Sequence, residues 1–265
     1  MLQDVILYLM GGAAAGLLAG LFGVGGGTIL VPVLLVLFRH SGMPEQLWMH
    51  MAIGPSLALI VLNAISSTRA HARRGGVRWE IVWRLLPGII IGTWTGAFVA
   101  DRLSSGVLAL IFACFLVLVG LQMLAARQPK PQRQVPGNVG LLGAGGVIGG
   151  VSALVGIGGG SLTVPFLTWC NVAMPQAVAT SAAAGLPIAL AGAIGFVATG
   201  LQHSDLPAWS LGYVYLPAFV GMAAAGTLLA PLGARIAHAL PAARLKQAFG
   251  VFLLLVAARM FSELL

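Results

Sequence analysis

No Asp, Glu, Lys or Arg occurs between residues 5 and 38, and none between 134 and 204. A soluble domain carries about 25% charged residues; this chain carries 8%, and 59% of it is hydrophobic. Apolar runs long enough to cross about 30 Å of hydrocarbon as helices follow one another along the sequence. The fold class is therefore an all-α polytopic membrane protein. In lipid, irregular backbone persists only where protein buries it or where it lines a cavity. A break inside an apolar run thus needs a reason.

Two such breaks match each other. Gly23-Val24-Gly25-Gly26-Gly27-Thr28 runs on to Pro32, and Gly156-Ile157-Gly158-Gly159-Gly160-Ser161 runs on to Pro165, in register at a spacing of 133 residues. Each consecutive glycine costs a helix about 1 kcal/mol against alanine, so each stretch separates two half-helices. The second half-helix starts with Thr28 or Ser161 near its N-cap. Its unbonded N–H groups carry partial positive charge and suit an anion. Broken helices at corresponding positions of two halves point to a transporter's binding site.

Around these breaks the chain divides into a first transmembrane repeat (1–127), a linker (128–137) with three prolines and no periodicity, and a second repeat (138–265). The first repeat holds segments 4–22, 28–38, 47–68, 80–100 and 105–126. The second holds 138–157, 161–170, 176–200, 210–232 and 242–264. Ser181 falls opposite Ser56, and Pro217 and Gly226 fall opposite Pro87 and Gly96. Gly92 and Gly96 have the spacing that lets membrane helices approach closely. The apolar first 22 residues lack a basic leader region and run into the motif, so they read as mature structure. Cys114 and Cys170 are too few for a disulfide framework and read as small buried hydrophobes.

Charge fixes an orientation. If every long segment crosses once, the 14 basic residues divide nine to five. If each broken segment is a re-entrant hairpin, each repeat has three transmembrane helices and the two repeats are inverted. Eleven basic residues then share one side, leaving Arg39, Arg102 and Arg259 on the other. The positive-inside rule favours this second arrangement, which puts both termini outside the cytoplasm. The net charge of +8 thus reports orientation and contact with membrane lipid, and no nucleic-acid partner is expected. Arg69 and Arg102, at helix ends, read as snorkelling to the interface.

The charge-free stretches define the chemistry. An anion bound there would be held by N–H groups of Gly25, Gly26, Gly27, Gly158, Gly159 and Gly160, by the hydroxyls of Thr28 and Ser161, and by the half-helix dipoles. Ser56, Thr180 and Ser181 are candidates for the surrounding layer, and Asn63 is the most polar residue deep in a helix of the first repeat. The motif is no dinucleotide loop, because Thr28 or Ser161 stands where the sixth glycine belongs, and no Gly-Lys-Ser/Thr occurs. No acid/base pair, nucleophile set or metal cluster is visible, so neither an enzyme nor a cofactor is expected. Asp4, Glu45, Glu80, Asp101, Asp205 and Glu263 fall at segment ends, as do His50, His71 and His203, which read as interfacial.

Two copies of Gly-x-Gly-Gly-Gly-[Thr/Ser]-x-x-x-Pro, with Ala179-Thr180-Ser181 and the basic loop Arg69–Arg78, resemble the TauE/SafE sulfite exporter family, also called the 4-toluene sulfonate uptake permeases. The resemblance covers nearly the whole chain. It implies a multi-pass secondary transporter of the cell inner (cytoplasmic) membrane for sulfite, sulfoacetate or another organosulfonate. Pro55-Ser56 stands where the second repeat has Thr180-Ser181, removing one hydroxyl from the site. The alternative is a transporter or channel for a different small anion or an uncharged solute, the loops serving as hinges. The direction of transport, the coupling ion and a homodimeric state stay open at this level.

Overall fold

The computed structural model describes residues 2–22, 26–125, 134–238 and 241–264. The helices are α1 (Leu2–Phe22), α2 (Gly27–His40), α3 (Trp48–Arg73), α4 (Trp79–Arg102) and α5 (Ser105–Leu124), then α6 (Asn138–Val155), α7 (Gly160–Trp169), α8 (Met174–Gly200), α9 (Leu216–His238) and α10 (Ala242–Leu264). Eight of these are long and apolar enough to cross a membrane; α2 and α7 are the short ones. The first limbs of the broken segments are themselves span-length: α1 has 21 residues, or about 31 Å as a helix.

Each short helix follows a glycine turn. At corresponding positions, Gly26 has φ 77° and Gly159 has φ 74°, a left-handed backbone that side chains oppose. After the first turn, α2 folds back along α1. Tyr8 meets the Phe38 ring edge-on at 6.2 Å, its hydroxyl lies 3.3 Å from that of Ser41, and a Cβ on Gly11 would touch Leu37. α6 starts beside the first half of α4, where Leu142 faces Gly88. α7 ends five residues before α8 begins, at that same end of the bundle.

Glycine sets the helix pairing. α1 and α9 run parallel, with Gly12, Gly16 and Gly20 against Met222, Gly226 and Ala230. A Cβ on Gly16 would fall 2.5 Å from the Gly226 Cα. α4 and α6 pair in the same way, Gly88, Gly92 and Gly96 lying against Leu142, Gly146 and Gly150. On the α1 and α4 sides, at Gly12, Gly16, Gly20, Gly88, Gly92 and Gly96, a Cβ would run into the facing backbone, as the Gly-x-x-x-Gly spacing at Gly92 and Gly96 predicts.

Two further pairs are antiparallel. In the α3–α8 pair, the Thr68 hydroxyl donates to the Ala182 carbonyl at 3.1 Å, and Leu57 packs on Gly192. In the α5–α10 pair, Gly120 meets Gly250 and Leu254, and Gly106 meets Leu264. The main apolar cluster fills the space between these pairs and α2, with Phe38, Met51, Phe112, Phe196 and Phe249 at its heart.

One segment departs from expectation. Residues 210–215 do not open a helix; Ser210–Leu211 and Val214–Tyr215 form a small antiparallel hairpin, with Gly212 at φ 55° in its turn and Trp209 at φ 68° just before its first strand. A Cβ on Gly54 would fall 2.6 Å from the Tyr213 carbonyl, so the hairpin is wedged against α3.

Candidate functional site

The two glycine stretches touch. A Cβ on Gly27 would lie 2.8 Å from the Ile157 Cα, and closer to the Gly156 carbonyl. That carbonyl accepts a 2.9 Å hydrogen bond from the Ser56 hydroxyl, which ties α3 to the second break. Gly156 is itself left-handed, at φ 67°, and a Cβ there would press on Val31 and Ile53. The breaks are therefore one structure, made of α2, α3 and the turn after α6.

The caps fall two residues earlier than the sequence suggests. Gly26 and Gly159 are the N-caps, with no side-chain bond at either. Their carbonyls accept from Ile29 and Leu30, and from Leu162 and Thr163. Thr28 and Ser161 therefore lie inside the first turn, because a left-handed glycine is the residue that turns the chain into the helix. The first turn of any helix leaves N–H groups without an intrahelical acceptor; here they belong to the motif residues.

Thr28 is 1% exposed, and its hydroxyl has no partner among the described residues. Ser161 is half-buried. Ser181 is buried and its hydroxyl is unpartnered among the described residues. Thr180 is buried but committed elsewhere: its hydroxyl accepts from the Arg78 N–H at 3.0 Å and fixes the loop before α4. Gly158 packs its carbonyl on Gly185, and Gly159 packs on Ile188 and Thr163. Gly160 opens α7, with no described atom within 4 Å of the place of its Cβ. Asn63 is exposed and lies beside Gly26, its Nδ2 3.8 Å from where a Cβ would be. Gly25 lies outside the described residues.

Sequence reasoning did not single out three further hydroxyls. Thr93 of α4, Ser152 of α6 and Thr163 of α7 are fully buried, with no hydrogen-bond partner among the described residues. Thr93 Oγ1 faces Gly149, three residues before Ser152. The Ser152 carbonyl accepts from Ile157, and Thr163 lies beside Gly159. A buried unsatisfied polar group costs about 1–3 kcal/mol, so several unpaired hydroxyls around the breaks suit a polar occupant. Their signal in the sequence was a lone Ser or Thr in an apolar run, which also fits helix–helix bonding.

A second polar cluster closes the end of the bundle opposite the basic loop. Asp101 accepts from the Tyr213 hydroxyl at 2.8 Å and lies 2.9 Å from His203 Nε2. His50 stacks on the Tyr213 ring at 5.0 Å, and its Nε2 lies 2.9 Å from the Ala100 carbonyl. His50 thus lies at this end of the bundle and is packed inside the protein, at 4% exposure. The Tyr213 hydroxyl is held well above the usual tyrosine range, first by burial and then by the bond to Asp101 and its charge. Nearby, Glu263 joins α10 to α2 through Arg39, at 2.5 Å, while Arg39 caps the Trp48 ring at 4.8 Å.

A bundle of span-length helices around two touching helix breaks is the build of a multi-pass membrane transporter. A sequence profile described as "Sulfite exporter TauE/SafE" matches residues 8–260, and the chain belongs to that family. It is 37% identical to a probable membrane transporter protein of Haemophilus influenzae, covering 98% of this chain and 99% of that one. It is 26% identical to a probable membrane transporter protein of Methanocaldococcus jannaschii, covering 87% and 85%, and 28% identical to one of Xylella fastidiosa, covering 97% and 94%. No solved structure matches.

Proposed function

We propose that this protein is a secondary transporter moving a small sulfur-containing anion, such as sulfite, sulfoacetate or another organosulfonate, across the cytoplasmic membrane. The anion is held by N–H groups at the starts of α2 and α7. The observation that carries this reading is the contact between the two breaks at Gly27 and Gly156, inside segments that contain no fixed charge. A site made of backbone dipoles avoids the cost of placing a cation in hydrocarbon. It also holds the anion weakly enough for release. The unpaired hydroxyls of Thr28, Thr163 and Ser181 supply further donors.

We also read the two halves as inverted repeats. The equivalent helices α3 and α8 run antiparallel, as do α5 and α10, and α1 pairs with α9 as α6 pairs with α4. Such repeats place a substrate site at their interface. The test is uptake by proteoliposomes of labelled sulfite and a panel of sulfonates, with chloride and a neutral solute alongside. Saturable flux of a sulfur oxyanion is expected. Flux of chloride or of the neutral solute alone would move the function to another substrate class.

A further inference from the structure

The two halves are not in the same arrangement. α4 lies along α8, with a Cβ on Gly195 falling 2.8 Å from that of Ala97 and Gly192 packing on Thr93. Thr93 and Ala97 are buried as a result. By the correspondences of Gly96 with Gly226 and of Ser56 with Ser181, the matching residues are Ala223 and Thr227 on α9, and Ser67 and Ala70 on α3. Here the helices stand apart. Ala70 and Thr227 are exposed, and α9 covers much less of α3 than α4 covers of α8. Ala218 and Met222 near the start of α9 are buried, while Leu228 further along is 77% exposed.

The gap is a crevice with Gly26 and Asn63 on one wall and Gly226 and Thr227 on the other. From Asn63 the exposed side of α3 continues through Ser66 and Arg69 to Arg73 at the basic face. The matching residues of α8 are Ile188, Ala191, Ile194 and Ala198. A stripe facing lipid would be apolar, since polar side chains at membrane depth are costly. This stripe is polar in one half only, and it lies in the half where the crevice is open. Two arginines along it attract an anion without a fixed charge at the loop itself. The arms on either side are stiff: no side chain separates α1 from α9, or α4 from α6, along their glycine contacts.

We propose that Asn63, Ser66, Arg69 and Arg73 line the route between the basic face and the first glycine loop, and that α1 and α9 move as one gate over it. This rests on the anion-transport reading. In this structure that gate is open, and its counterpart, α4 with α6, is shut against α8. Closure brings Ala223 and Thr227 onto Ser67 and Ala70, reproducing the α4–α8 contact on the other side.

The test uses the full chain with Cys114 and Cys170 replaced by serine. Ser66→Cys is probed in oriented vesicles with a membrane-impermeant maleimide, with Ile194→Cys and Gly75→Cys as controls. Ser66→Cys and Gly75→Cys are expected to label from the basic face and Ile194→Cys not to, with saturating sulfoacetate, which does not react with maleimide, slowing Ser66→Cys labelling several-fold while leaving Gly75→Cys labelling unchanged. In the double variant Ala70→Cys/Thr227→Cys, mild oxidation is expected to form a disulfide and stop flux of a labelled sulfonate, used here because sulfite would itself cleave the disulfide, with reduction restoring it. If Gly75→Cys labels while Ser66→Cys does not, the stripe faces lipid and the route is overturned. Full flux through the oxidised, cross-linked protein would overturn the gate. Labelling and cross-linking as expected, but with no sulfur anion transported or protecting, would support the gate and overturn the substrate class instead.

Discussion

A Cβ on Gly27 would collide with the opposite half of the protein at Gly156 and Ile157. Gly27→Ala therefore strains the junction, and an overpacked site costs about 1–3 kcal/mol. A lowered melting temperature in detergent checks this; an unchanged one would show that the two breaks do not touch. Ser56→Ala removes the bond to the Gly156 carbonyl and leaves that buried acceptor unpaired, for about 1–3 kcal/mol. Its melting temperature is expected to fall, and Ser56→Thr to recover part of the loss. The breaks were legible as residues, since consecutive glycines in an apolar run admit few other readings. The caps were displaced because Gly26 and Gly159 themselves make the turn at φ 77° and 74°. The commitment of Thr180 to Arg78 joins residues a hundred positions apart, and no local pattern announces it.

At the level of the element, glycine spacing decides which helices pair. Gly92→Leu is expected to separate α4 from α6, because the Gly146 backbone occupies that space. Gly143→Leu, at a position with no described atom within 4 Å, is its neutral control. Size-exclusion profiles and melting temperatures of the two variants should diverge. The hairpin at 210–215 was read as the start of a helix because it is apolar on average. What makes it a hairpin is the positive φ at Gly212, in its turn, and its wedging against Gly54. Tyr213 within it keeps its proton to higher pH than in the unfolded chain, where tyrosine titrates near about 10. Its contribution to stability is thus fully present below about pH 10 and lost as pH rises toward its folded value. Tyr213→Phe is expected to lower the melting temperature at neutral pH and to flatten part of its alkaline decline. An unchanged alkaline decline would assign that loss to other groups.

For the whole molecule, charge distribution and helix pairing point the same way. The contacts of Gly76 with Ala179 and of Arg78 with Thr180 gather the end of α3 and the start of α8 at the basic face. The Asp101–Tyr213–His203 cluster and the Arg39–Glu263 pair mark the other. The multi-pass helical fold was legible from length, hydropathy and the absence of charge. The difference in closure between the two halves was not, because it depends on how far α9 stands from α3. The proposed function puts the anion at the glycine junction. The most direct measurement is labelled-sulfite uptake by proteoliposomes holding either the natural chain or Gly159→Leu, whose side chain would press on Ile188 and Thr163. Saturable flux is expected in the first and at least a tenfold loss in the second, with equal reconstitution. Undiminished flux through correctly folded Gly159→Leu would contradict that placement.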